Sequence, residues 1–232
     1  MQAEIVVRSA AVSSAVHAAP ADFSADIHAP GMRPKNYARN VLHVVSASSA
    51  LAILELAPSW TIAIGIAVAV AALGVTLEVT RRMSPAINAA CMAVFGRTAH
   101  AHEAHRVNSA TWYAVAVLLM ALSEQTVPSA IALVTLGVGD PIAAVVGRRF
   151  GRTKLVSGRS LEGSLAFVAS ASLAAMAFVV IVHPEVAAAR AMIAVAVGAI
   201  AGALAELFSR RIDDNFSIPL AAFAAAYVAL AA

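Results

Sequence analysis

The residues best suited to chemistry fall in one run, Gly137-Val138-Gly139-Asp140-Pro141 through Gly147-Arg148-Arg149-Phe150-Gly151, then by Lys154 to Arg159-Ser160-Leu161-Glu162-Gly163-Ser164. Glycines let backbone approach a phosphate closely, and Gly-rich turns point amide N–H groups at an anion. Arg148, Arg149, Arg152, Lys154 and Arg159 put five cations within twelve residues to meet that charge. Asp140 and Glu162 bracket the loop as hard oxygen donors of the kind Mg2+ takes. Metal ligands, cations and close backbone are the parts of a phosphoryl-transfer site. The same residues admit a plainer use. The arginines alone can mark topology or bind anionic headgroups, the acids can pair with them, and Ala143, Gly147 and Gly151 have the small-xxx-small spacing of helix packing.

A second constellation is Glu206-Leu207-Phe208-Ser209-Arg210-Arg211-Ile212-Asp213-Asp214-Asn215-Phe216-Ser217-Ile218-Pro219. Two adjacent carboxylates with an amide, flanked by arginines, again suit metal-phosphate binding. Asp213 can equally cap a helix with Pro219 in its first turns, which explains one acid but not Asp214, Asn215 and Glu206. A third group joins Arg39, Asn40 and His43 to Glu78 and Arg82. His43 lies about one helical turn from Arg39 on the same face, a place where a histidine is commonly a hydrogen-bonded packing residue. His100, His102 and His105, with Glu103 near them, lack a recognisable metal-ligand pattern and suit a solvated interfacial loop.

The elements that must hold these residues follow from composition. Of 232 residues 61% are hydrophobic and 12% charged, and mean hydropathy is +0.82. Soluble domains carry about 25% charged residues, so a soluble fold, a disordered chain and a coiled coil are all excluded. One cysteine, Cys91, excludes a disulfide scaffold. An all-α polytopic membrane protein remains. Apolar runs at about 39–57, 60–79, 108–123, 127–147, 163–183, 190–209 and 216–232 predict seven transmembrane helices, the third short. Ile87–Phe95 is too short to cross and suits an interfacial helix. Residues 1–32, rich in Ala, Ser, His and Pro, read as a flexible tail, leaving 33–232 as a single membrane domain.

Seven crossings put fifteen of the sixteen Lys and Arg residues on one side, Arg190 alone on the other. The positive side is the cytoplasmic one, so the amino terminus is expected inside and the carboxyl terminus outside. The basic balance is thereby a topology signal, and nucleic acid is unnecessary to explain it. Brevity and alanine content suggest a bacterial inner membrane, with the acidic and glycine-rich sequence facing the cytoplasm.

The run Gly139-Asp140-x-x-Ala143-x-x-x-Gly147-x-x-x-Gly151, followed by Arg159-Ser160-Leu161-Glu162-Gly163-Ser164, resembles the nucleotide-binding signature of the CTP-dependent lipid kinases, the family of dolichol kinase, phytol kinase and the yeast-type diacylglycerol kinase. Ala205-Glu206-Leu207 and Ile212-Asp213-Asp214-Asn215-Phe216-Ser217-Ile218-Pro219 are similar to its acidic segment. Arg39 with His43 resembles its amino-terminal element, and Glu103 with Arg106 its middle loop. Arg159 stands where the family usually has Lys, and Asn40 replaces a Lys after Arg39. The length is that of the compact prokaryotic and phytol-kinase-like members.

The resemblance implies a kinase moving the γ-phosphate of CTP to the hydroxyl of a membrane lipid alcohol: a dolichol-like polyprenol, a phytol-like isoprenoid or diacylglycerol. Asp140 with Asp213 or Asp214 would hold Mg2+, and Glu162 would be a further ligand or the base. Arg148, Lys154 and Arg159 would neutralise the triphosphate, with Gly139, Ala143, Gly147, Gly151, Ser160 and Gly163 forming its cradle. Arg39, His43, Glu78, Arg82, Glu206 and Asn215 would line or support the headgroup side. A cytidylyltransferase acting on a lipid phosphate would bind the same nucleotide. A small transporter would need an internal repeat and mid-span charges, and neither is evident.

Overall fold

A computed structural model describes residues 37–95, 107–155, 158–209 and 212–232, all within the compact unit Asn36–Ala232. The expected tail, the histidines at 100, 102 and 105, Glu103 and Arg106 lie outside the described residues. The chain is all-helical there: α1 Tyr37–Leu56, α2 Trp60–Met83, α3 Pro85–Phe95, α4 Ser109–Leu122, α5 Thr126–Val134, a π-helical segment Thr135–Gly139, α6 Asp140–Phe150, α7 Leu161–Val182, α8 Ala188–Phe208 and α9 Asp214–Ala231. Lys154 and Ser160 form an isolated antiparallel bridge.

Among the described residues five helices are long and apolar enough to cross a membrane: α2, the continuous rod Thr126–Phe150, α7, α8 and α9. The apolar parts of α1 and α4, Asn40–Leu56 and Ser109–Leu122, are shorter. Every apolar run expected from the sequence is thus a helix, and the length criterion selects five. The short run 87–95 lies within α3.

The rod Thr126–Phe150 is the centre of the bundle, with over half of its apolar window buried against 22% for α2. Around it α5 and the π segment meet α1, α8 and α9, while α7 pairs with α6 and α8. α1 and α2 each attach by one narrow stripe, His43, Ala47, Ala50 and Leu54 on the first and Ala63, Ala67, Ala71, Glu78 and Arg81 on the second. Small residues on those stripes let backbones approach, which is how helices associate when lipid is as apolar as leucine. The core behind them is built on Phe167, Leu136 and Ile218, each at most 1% exposed.

The π segment has a local cause. Pro141 lacks an N–H, and in an α-helix its ring would strike the carbonyl four residues back. Widening the turn before it removes that conflict, as single-turn π-bulges do. The Asp140 amide donates to the Leu136 carbonyl, and the rod resumes as α6. The bulge fixes the direction in which Asp140 leaves the rod.

Candidate functional site

Arg159 organises the loop-rich end of the bundle. It leaves a short hairpin in which the Leu155 amide donates to the Arg159 carbonyl at 2.8 Å and the Gly158 amide to the Leu155 carbonyl at 2.9 Å. Gly158 turns the chain with φ +77°, a left-handed conformation that glycine adopts without strain. The guanidinium then reaches Glu206 Oε1 at 2.5 Å and Asp214 Oδ2 at 3.0 Å. Burial opposes its charge, yet Glu206, Asp214 and Asp140, in that order, more than offset this and hold it above its ordinary value. Asp140 also faces His43, whose Nε2 lies 4.0 Å from Asp140 Oδ2. Residues from α1, the π–α6 junction, the hairpin, the end of α8 and the start of α9 therefore converge.

The two neighbouring aspartates have different work. Asp213 caps α9: its Oδ1 accepts from the Asn215 amide at 2.9 Å and Asn215 Nδ2 at 2.8 Å, and its Oδ2 from Ser109 Oγ at 2.7 Å. With three donors its carboxylate is committed to positioning. Asp214 receives a longer bond from Asn215 Nδ2, 3.3 Å, and turns its other oxygen to Arg159. Asp214 is the acid facing the cluster. Asn215, 4% exposed, couples the pair, and Trp112 packs edge-on against Phe216 beside them.

Glu162 stands apart from this group. Both its oxygens accept from the Thr153 amide, at 3.1 and 3.3 Å, so it ties the base of the hairpin to the first turn of α7. Of the five clustered cations only Arg159 is drawn into the cluster; Arg148, Arg149, Arg152 and Lys154 are exposed around it. The small residues occupy a helix crossing. A Cβ on Gly163 would stand 3.1 Å from the Ala143 carbonyl and 3.2 Å from Gly147 Cα. Ser160 caps α7, its Oγ accepting from the Gly163 amide at 3.2 Å, and a Cβ on Gly151 would collide with that side chain. A Cβ on Gly139 would meet the Phe167 ring at 3.0 Å. Ala143, Gly147, Gly151, Ser160 and Gly163 hold α6 and α7 in contact, and through that contact they place the hairpin bearing Arg159.

A second network lies at the end of α2. Buried Glu78 pairs with Arg81 at 2.9 Å, approaches Arg82 Nε at 3.6 Å, and accepts from the Asn108 amide at 2.7 Å. Arg81 continues to Asn88 Oδ1 on α3 at 3.2 Å. Asn108 caps α4, and the next residue, Ser109, bonds Asp213. Glu78 and Arg82 thus join the cluster through α4. Ser109, Asn108 and Asn88 were invisible as site residues in the sequence, since short polar side chains at helix ends carry no pattern beyond capping. Arg39 belongs to α1, its side chain outside the described residues.

Among the described residues no three His, Cys, Asp or Glu side chains are arranged to hold a metal ion by themselves. No family model, curated protein or solved structure matches the chain.

Proposed function

We propose that this chain is a CTP-dependent kinase that transfers the γ-phosphate of CTP to the hydroxyl of a membrane lipid alcohol. The observation that carries the reading is the Arg159 cluster: three carboxylates, Asp140, Glu206 and Asp214, converge on one guanidinium at the end of an apolar bundle. Carboxylates exceed cations in the cluster itself, a charge balance that would favour a divalent cation and the phosphates it brings. Mg2+ suits such a place, because it commonly takes one or two carboxylates and completes its shell with phosphate oxygens and water. Asp140 and Asp214 would hold it, and it would neutralise charge on the triphosphate.

The chain's own residues then divide the work. Arg159 already spans two carboxylates and presents a planar fork that matches a phosphate as well. The exposed Arg148, Arg149, Arg152 and Lys154 attract the nucleotide. His43, 4.0 Å from Asp140, would take the proton of an acceptor hydroxyl that came from the α1 side. The choice of CTP rests on the sequence resemblance. In this reading α1 and α4 complete seven spans, the amino terminus is cytoplasmic, and the site opens on the cytoplasmic face of a bacterial inner membrane.

Purified protein in lipid nanodiscs, given CTP or ATP labelled at the α- or γ-phosphate and a panel of polyprenol, phytol and diacylglycerol, tests the proposal. Label from the γ-position on one of the alcohols, absent in Asp140→Asn, supports it. Transfer of α-label to a lipid phosphate identifies a cytidylyltransferase instead, and no transfer with any pair sinks both readings.

A further inference from the structure

A third group of titratable side chains lies at the other end of the bundle, away from the Arg159 cluster. His183 ends α7, its amide donating to the Val179 carbonyl at 2.8 Å. Its Nε2 lies 3.0 Å from Glu55 Oε1, at the end of α1, and its Nδ1 lies 3.2 Å from Glu185 Oε1. The imidazole and Glu55 are nearly buried, whereas the Glu185 side chain is 67% exposed. A neutral imidazole has one N–H and can donate to one carboxylate only; the imidazolium donates to both. Two carboxylates on the two ring nitrogens therefore specify the protonated ring.

We propose that Glu55, His183 and Glu185 form a proton-binding site that latches the end of α1 to the turn after α7. An open recess of about 780 Å3, lined by His183, Glu185, Gln125, Arg190, Tyr227 and Leu230, gives bulk water access to it. Among the described residues, few charged or titratable groups face the imidazole or the recess. Glu55 comes from α1, Glu185 from the turn, Arg190 from the start of α8 and Tyr227 from α9, and the α4–α5 turn contributes uncharged Gln125. Glu124, on that same turn, is exposed outside the recess lining. A proton from solvent adds to the free ring nitrogen and leaves the same way, with no other bond made or broken. On its loss Glu185 lets go, because water replaces the exposed carboxylate's contact more readily than the buried one. A metal ion is a poor alternative occupant, since each ring nitrogen already faces its own carboxylate. The helices joined here carry His43 and Ser160 at or near their other ends, so the latch ties together two elements of the opposite face.

Nitrogen-15 imidazole spectra of the full chain in nanodiscs test this, with the His183 signal assigned through His183→Gln. The expected result is a doubly protonated ring at pH 7.5, where an isolated imidazole is mostly neutral, that loses one proton as pH is raised to 9. At the same step, hydrogen exchange at the Glu185–Ala187 amides rises once intrinsic chemical exchange is corrected. In Glu55→Gln the doubly protonated signal at pH 7.5 should be lost, while in His183→Gln the step in exchange should vanish. A singly protonated ring at pH 7.5 in the native chain, or an unchanged signal in Glu55→Gln, overturns the proposal. So does an unchanged exchange step in His183→Gln.

Discussion

Arg159 and Glu206 lie 47 positions apart in the chain, yet their side chains meet at 2.5 Å, with Glu206 2% exposed and Arg159 21%. Removing one partner of such a pair strands the other charge in a low-dielectric interior. Arg159→Met should therefore lower stability by about 3–5 kcal/mol, and Arg159→Met with Glu206→Gln should recover part of that loss. Thermal unfolding in detergent, run as a double-mutant cycle, checks it. Additive losses, the double variant falling by the sum of the two single variants, would show that the two charges are not coupled.

Asp140→Asn keeps size and hydrogen-bonding reach but removes a charge aimed at the Arg159 cluster. Activity should fall on the order of 100-fold or more, the scale on which losing one electrostatic contact to a transition state acts. The melting temperature should move little. His43→Gln should likewise lower activity on the order of 100-fold, the scale on which losing a general base acts, and native activity in that variant would remove His43 from proton transfer.

Ser109→Ala deletes one of the three donors to Asp213. A loss of about 1–2 kcal/mol is expected, that of a part-buried hydrogen bond to a charged group. Asp213→Asn should cost a similar amount through the α9 cap. Asp214→Asn should cost little stability and most of the activity. An activity loss confined to Asp213→Asn would reverse the roles given to the two neighbours.

Pro141→Ala restores the N–H whose absence produces the π segment. The rod can then close as continuous α-helix, turning Asp140 by up to about 100° relative to the residues before it. Stability should hold or rise while activity drops at least tenfold. An equally active variant would mean the bulge does not aim Asp140.

Gly163→Ala should destabilise by about 1–3 kcal/mol, because the added methyl meets the Ala143 carbonyl, Gly147 Cα and Ser160 Oγ within 3.2 Å. Proteolysis in the Arg152–Leu155 stretch should become faster, since this crossing seats the hairpin. Unchanged melting and unchanged cleavage would show slack at the crossing.

What could be read from the sequence was set by period and composition. Every apolar run became a helix, and Asp140, Arg159, Glu206 and Asp214 came together as residues worth mutating. Two features lay beyond reach for physical reasons. Whether Gly147 and Gly163 cradle a ligand or a neighbouring helix depends on what stands opposite them, and one-dimensional spacing serves both uses. Glu162 sits within three residues of Arg159 but bonds Thr153, because the hairpin turns the two side chains apart. Among five similar cations, only the tertiary fold selects Arg159 for the interior. Span number depends on bilayer geometry too, since α4 is apolar but only fourteen residues long.

That shortness has a mechanical consequence. Fourteen residues of α4 rise about 21 Å, against a hydrocarbon core about 30 Å thick. With α4 crossing as proposed, the surrounding leaflet must dimple inward to meet it. Ser109, and beside it Asp213, would sit at the bottom of that dimple. A lipid alcohol would then present its hydroxyl to the cluster while its chain stays immersed in the hydrocarbon, and turnover would depend on membrane thickness.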